Sequence, residues 1–132
     1  MRDDAVVIDL SAWIAFFRPG GGPASSVVDE LIRADRAVLV GPVLSELLQG
    51  ARADRERREL RERLGALPYA EIVQADWQAA GETLWQLRRS GVTVPLTDAL
   101  IAVVAIRSKM AVLTIDSHFR QLGARLLEVR SE

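Results

Sequence analysis

Carboxylates are the side chains in this sequence best suited to chemistry. The 132 residues include no Cys and one His, His118. Disulfides, thiolate zinc sites and Cys nucleophiles are thereby excluded, and so is a His-rich transition-metal site. Four acids stand out by position: Asp9, Glu46, Asp98 and Asp116. Crowded together, they would repel one another unless a cation neutralised them. Mg²⁺ or Mn²⁺, held by one or two carboxylates and by water, polarises a phosphate oxygen and activates a water. Metal-assisted phosphodiester hydrolysis is the chemistry this set implies.

The acids must be brought together by elements that are themselves readable. Ala5–Ile8 is a short, continuous apolar run and reads as a buried strand, with Asp9 at its carboxyl end. Ser11 is expected to cap a helix over Ala12–Phe17, broken by the Arg18-Pro-Gly-Gly-Gly22 segment. Pro23 suits the first turn of a helix reaching Ala34. Ala37–Val40 is a second strand, and Gly41-Pro42 launches a helix carrying Val43, Leu44, Glu46, Leu47 and Leu48, with Gly50 at its end. Residues 52–64 are charged and helix-prone, with six Arg against four acids. Glu71–Val73 reads as a weak third strand. Asp76 is the expected cap of a helix marked by Trp77, Gly81, Leu84, Trp85 and Arg88, and Gly91 is its left-handed terminator. Thr97 is expected to cap a buried helix over Asp98–Arg107. Ala111–Ile115 is a fourth strand, Asp116-Ser117 starts a short helix ending near Gly123, and Arg125–Val129 is a fifth strand.

Apolar strands alternating with helices indicate an α/β fold with a parallel sheet covered on both faces. In such sheets the site lies at the carboxyl ends of the strands, where strand order reverses. Asp9 and Asp116 both follow strands, Glu46 lies one turn into the helix after the second strand, and Asp98 lies in the first turn of the helix before the fourth. Each acid alone has an ordinary reading: a turn residue for Asp9, a surface position for Glu46, complements to helix N-termini for Asp98 and Asp116. Their coincidence at one sheet edge favours a shared site.

Composition sets the outer bounds. The length fits one domain, 1–132, and 49% apolar with 27% charged residues is the profile of a folded globular chain. The longest apolar run, Ala99–Ile106, is too short for a membrane span, which needs about 20 residues. A net charge of −1 lacks the basic surplus of a dedicated nucleic-acid binder, so any such role rests on local patches or bound cations. Asp3 and Asp4 stand where a secretion signal would carry positive charge, so the expected location is the cytoplasm.

The chain resembles the PIN-domain ribonucleases, and within them the VapC toxins of bacterial type II toxin–antitoxin pairs. The matching segments are Val7-Ile-Asp-Leu-Ser-Ala-Trp-Ile14, Ser45-Glu-Leu-Leu-Gln-Gly50, Leu96-Thr-Asp-Ala-Leu-Ile-Ala-Val-Val-Ala105 and Leu113-Thr-Ile-Asp-Ser-His-Phe119. Their order and spacing cover essentially the whole chain. The resemblance implies a single PIN-like domain with a parallel five-stranded sheet between helices. It implies that Asp9, Glu46, Asp98 and Asp116 form the acidic metal site, with Asp9 and Asp98 as principal Mg²⁺ ligands and Ser11 and Thr114 as supporting hydroxyls. Leu10 departs from the family, which often has Thr there. The resemblance further implies an RNA substrate, a homodimer, and inhibition by a cognate VapB-type antitoxin whose C-terminal segment wraps the toxin. A non-catalytic RNA- or protein-binding module of the same fold is the alternative; degenerate members lose one or more acids, and all four are present here.

Other residues carry two readings each. His118 reads as a surface or packing residue rather than a general base, because a water activated by a cation needs none. Trp13, Phe16 and Phe17 read as core or as an apolar groove for an antitoxin helix. Trp77 and Trp85 read as core or dimer contacts, with base stacking the lesser option. The Arg52–Arg63 segment reads as a solvated helix laced with pairs such as Arg55–Glu59 and Arg58–Glu62, rather than an RNA contact. Arg18 and Arg120 are better placed for phosphate. A phosphoacceptor domain is disfavoured because it needs paired acids at the end of the first strand, whereas Asp3 and Asp4 precede that strand, and an Asp-x-Asp phosphatase because position 11 is Ser.

Overall fold

A computed structural model describes residues 4–129. Asp3, used above in the reading of location, lies outside the described residues. Strands β1 (Val6–Ile8), β2 (Ala37–Val40), β3 (Tyr69–Ala70) and β4 (Ala111–Leu113) form one parallel sheet in the order β3-β2-β1-β4. β1 and β2 are buried at every position, as continuous Val, Ile and Leu runs must be when both sheet faces are covered. Helices α1 (Leu10–Phe17), α2 (Pro23–Arg33), α3 (Gly41–Gln49), α4 (Asp54–Gly65), α5 (Gln74–Arg89) and α6 (Leu96–Arg107) supply the flanking layers, and a 3₁₀ turn follows at Ser117–Gln121. Strand order reverses between β1 and β4, because β2 and β3 lie on the other side of β1. Asp9 and Asp116 sit at that switch point, where the parallel topology opens a crevice.

Helix α6 anchors the site from below. Ala99, Leu100, Ile101, Ala102, Val104 and Ala105 are all buried, and the helix packs on β1 and β4. Small Ala residues let it approach the sheet closely, which fixes Asp98 on its first turn beside the strand ends.

Several local expectations shift. The fifth strand is reduced to one parallel bridge, Val112 to Leu126, made by Val112 N–H to the Arg125 carbonyl and Leu127 N–H to the Val112 carbonyl, both 2.8 Å. β4 leaves the ladder after Leu113 because Thr114 turns toward Asp9, so an outer strand finds little to pair with. β3 forms at Tyr69–Ala70, before Glu71–Val73, because the Pro68 carbonyl accepts from Leu39 N–H and Val73 is already the entry to α5. Asp9 rather than Ser11 caps α1, its Oδ1 accepting from Ala12 N–H at 3.1 Å. α6 begins at Leu96 behind an extended Pro95, so Thr97 lies inside the helix. Asp76 is likewise inside α5, where its carboxylate accepts from Val73 N–H at 2.9 Å.

The buried stripe of α5 is also rotated. Asp76 and Ala80 face inward, with Leu84 and Leu87 half-buried, while Trp77 and Trp85 are 49% and 60% exposed. A core role for the two indoles is therefore corrected. Burial follows the close Ala80 packing and the ion pair of Asp76 with Arg107 at 2.7 Å, not the larger rings. Trp13 is core, 1% exposed, and stacks on Phe17, whereas Phe17 reaches a surface groove. In α4 the Arg55–Glu59 pair forms at 3.0 Å; Arg58 pairs back to Asp54 at 3.2 Å instead of forward to Glu62.

Candidate metal centre

Asp9 follows β1 directly and is 2% exposed. Its Oδ1 accepts from the Ser11 hydroxyl at 2.7 Å and from Ala12 N–H, and its Oδ2 accepts from the Thr114 hydroxyl at 2.7 Å. Two strand ends are thus tied through one carboxylate. The hydroxyls are fixed in turn: Ile115 N–H donates to Ser11 Oγ at 3.1 Å, and Asp116 N–H donates to Thr114 Oγ1 at 2.9 Å. The two residues expected to support the site, Ser11 and Thr114, are therefore the ones that orient Asp9.

Asp98 and Asp116 complete the group, joined by His118. The imidazole Nδ1 lies 3.2 Å from Asp98 Oδ2 and 3.0 Å from Asp116 Oδ1. Asp116 caps the 3₁₀ turn, accepting from His118 N–H at 2.9 Å, which delivers the imidazole over the carboxylates. One donor atom each from Asp98, Asp116 and His118 lie within 4.8 Å of one another. The sequence reading took His118 as a surface or packing residue; the available signal was its place two residues past Asp116, where a turn capped by that Asp folds it back.

Glu46 is exposed on α3 and lines a different groove, with Leu10, Ile14, Phe17, Leu47 and Arg63. Arg18 lines that same groove, whereas Arg120 lines a second one that includes Thr114, Asp116 and Ser117. The structure thus brings Asp9, Asp98 and Asp116 together and leaves Glu46 on the neighbouring wall.

Negative charge in this group is disfavoured by burial and by mutual repulsion. Burial raises the Asp9 carboxyl above the ordinary carboxylate range, against the lowering effect of the Ser11, Thr114 and Ala12 donors, and the charge of Asp116 adds to the rise. Burial likewise raises Asp98, opposed by its hydrogen bond to His118 and reinforced by the charges of Asp116 and Asp9. Among the described residues no Lys or Arg pairs with Asp9, Asp98 or Asp116. A cluster of oxygen donors with one nitrogen, short of positive charge, suits a divalent cation of the Mg²⁺ or Mn²⁺ kind.

Comparison with known proteins bears on the family and the fold. The PIN domain family model matches residues 6–125. The VapC ribonuclease Mb1587 of Mycobacterium bovis is 34% identical over 118 residues, covering 86% of this chain and 88% of that protein. The DNA-bound VapBC structure from Salmonella typhimurium has a TM-score of 0.75 at 17% identity, covering 95% of this chain and 97% of that one. VapC20 of Mycobacterium tuberculosis, a sarcin–ricin loop cleaving toxin, has a TM-score of 0.69 at 19% identity, covering 93% and 98%. At these identities the solved structures speak for the fold.

Proposed function

This chain belongs to the PIN-domain family, and from that premise we propose that it is a divalent-cation-dependent endoribonuclease, the toxin of a type II toxin–antitoxin pair. The observation that carries this reading is the donor cluster of Asp98, Asp116 and His118 beside the buried Asp9 at the switch point, with no Lys or Arg paired to these carboxylates among the described residues. The similarity to VapC ribonucleases supplies the substrate class, RNA. Mg²⁺ is the proposed working ion, with Mn²⁺ able to replace it.

A divalent cation bound here would supply positive charge to a phosphate oxygen and lower the pKa of a water. Asp9 and Asp98 would hold it and Asp116 would position the attacking water, with Glu46 adding negative charge from the separate groove it lines. Hydrolysis forms a bond from the water oxygen to phosphorus and breaks one ester P–O bond; the departing oxygen gains a proton. Ser11 and Thr114 keep Asp9 in one orientation, so no reorganisation is needed as charge develops. One such domain accounts for the matched residues 6–125. A cognate antitoxin of the VapB kind neutralises it, and the toxin pairs as a homodimer. The groove between α1, α3 and α4, floored by Leu10, Ile14, Phe17, Leu47 and Leu60, fits an apolar antitoxin segment. No described helix is long and apolar enough to cross a membrane.

The test is cleavage of total bacterial RNA by the purified chain with Mg²⁺ or Mn²⁺, with EDTA, and with Asp9→Asn. Discrete fragments that vanish with EDTA and with the variant are expected. Fragments that persist in EDTA, or none from folded, partner-free protein with Mn²⁺, would overturn the reading.

A further inference from the structure

We propose that His118 is itself a ligand of the cation, through Nδ1, making this a mixed nitrogen–oxygen centre that favours Mn²⁺ and softer divalent ions over Mg²⁺. The inference rests on the metal-dependent reading above and goes beyond its all-carboxylate ligand set.

The geometry is specific. Nδ1 stands almost equally close to two carboxylate oxygens, 3.2 Å from Asp98 Oδ2 and 3.0 Å from Asp116 Oδ1. A ring nitrogen carries at most one hydrogen, so it can donate well to only one of them. A cation is the partner that all three donors can share. Neighbouring ligands of an octahedral ion, each at about 2.1 Å, lie about 3 Å apart, and both Nδ1–oxygen separations match that spacing. The ring is also held in place by the chain: His118 N–H is bonded to the same Asp116 carboxylate, so the capped turn sets where the imidazole can go. Imidazole binds Mn²⁺, Co²⁺, Ni²⁺ and Zn²⁺ better than Mg²⁺, which prefers carboxylate and water.

The chain contains a single histidine, which makes the test clean. Tag-free protein is loaded with Mn²⁺ and examined by pulsed electron paramagnetic resonance. Coupling to an imidazole ¹⁴N is expected, and it should change when histidine is supplied as ¹⁵N. In parallel, Mn²⁺ binding and its displacement by Mg²⁺ are measured for the natural chain, His118→Ala and His118→Gln. Both variants should bind Mn²⁺ about tenfold or more weakly, with a smaller loss for Mg²⁺. Bound Mn²⁺ without imidazole coupling would overturn the inference while leaving the metal-dependent reading intact. Unchanged Mn²⁺ affinity in His118→Ala, which removes the imidazole and supplies no donor in its place, would also overturn it. Absence of any Mn²⁺ binding would instead overturn the metal-dependent reading from which it starts.

Discussion

Asp98 is where stability and activity are expected to part. Its carboxyl is raised by burial and by the charges of Asp116 and Asp9. A carboxyl raised in the folded state is one whose charge opposes folding. That cost is absent below the ordinary carboxylate range and grows as pH rises through the raised value. Asp98→Asn should therefore melt higher than the natural chain at neutral pH without metal, while losing cleavage by more than about 100-fold. Thermal melts in EDTA and RNA cleavage assays check the two halves; an unfolded variant would instead make Asp98 a structural helix residue. Asp76 has the opposite sign. The Arg107 hydrogen bonds hold its carboxyl below the ordinary value, so its contribution is present above the usual carboxylate range and lost as pH falls from there through the lowered value. Asp76→Asn is expected to cost about 1–3 kcal/mol at pH 7 and to flatten the acid limb of a stability–pH curve; an unchanged limb would assign the acid sensitivity elsewhere.

At the level of elements, the strands were readable because buried parallel strands are written as continuous apolar runs: Ala37–Val40 is β2 residue for residue. The ends of helices were less so. Ser11, Thr97 and Asp76 all have cap-forming side chains, yet none stands at the cap position: Asp9 caps α1 and takes the Ser11 hydroxyl, the extended Pro95 starts α6 ahead of Thr97, and Asp76 inside α5 is drawn to Arg107, 31 residues away. The acids at strand ends were legible from topology alone, since strand and switch point fix them. His118 was not, because its role depends on a turn that folds it between residues 20 and 2 positions away. Trp77 and Trp85 misled because ring size suggested burial, while the buried Asp76 carboxylate and Ala80 set the phase of α5. Gly91 was legible for a plain reason. It ends α5 at φ +81°, with Val92 N–H donating to the Leu87 carbonyl at 2.8 Å and Gly91 N–H to the Arg88 carbonyl at 2.9 Å. Gly91→Ala should cost about 1 kcal/mol, read by denaturant unfolding; no loss would mean the α5 terminus relaxes freely.

On the scale of the whole molecule, the proposed ribonuclease activity would bring a chain with a net charge of −1 against a polyanion. The grooves alone do not supply the positive charge: Arg120 shares one with Asp116 and Glu128, and Arg18, Arg52 and Arg63 share the other with Glu46, Glu56 and Glu59. A bound cation would reverse the local sign between them. RNA binding and cleavage should then depend on the same ion, not on the surface as a whole. The most direct measurement is therefore a Mn²⁺ titration in which bound ion and RNA cleavage rate are followed in the same samples, for the natural chain and Asp98→Asn. Cleavage is expected to rise in proportion to occupancy in the natural chain and to stay near background in the variant. Cleavage at full rate before the ion binds, or undiminished in Asp98→Asn, would contradict a metal-dependent acidic centre.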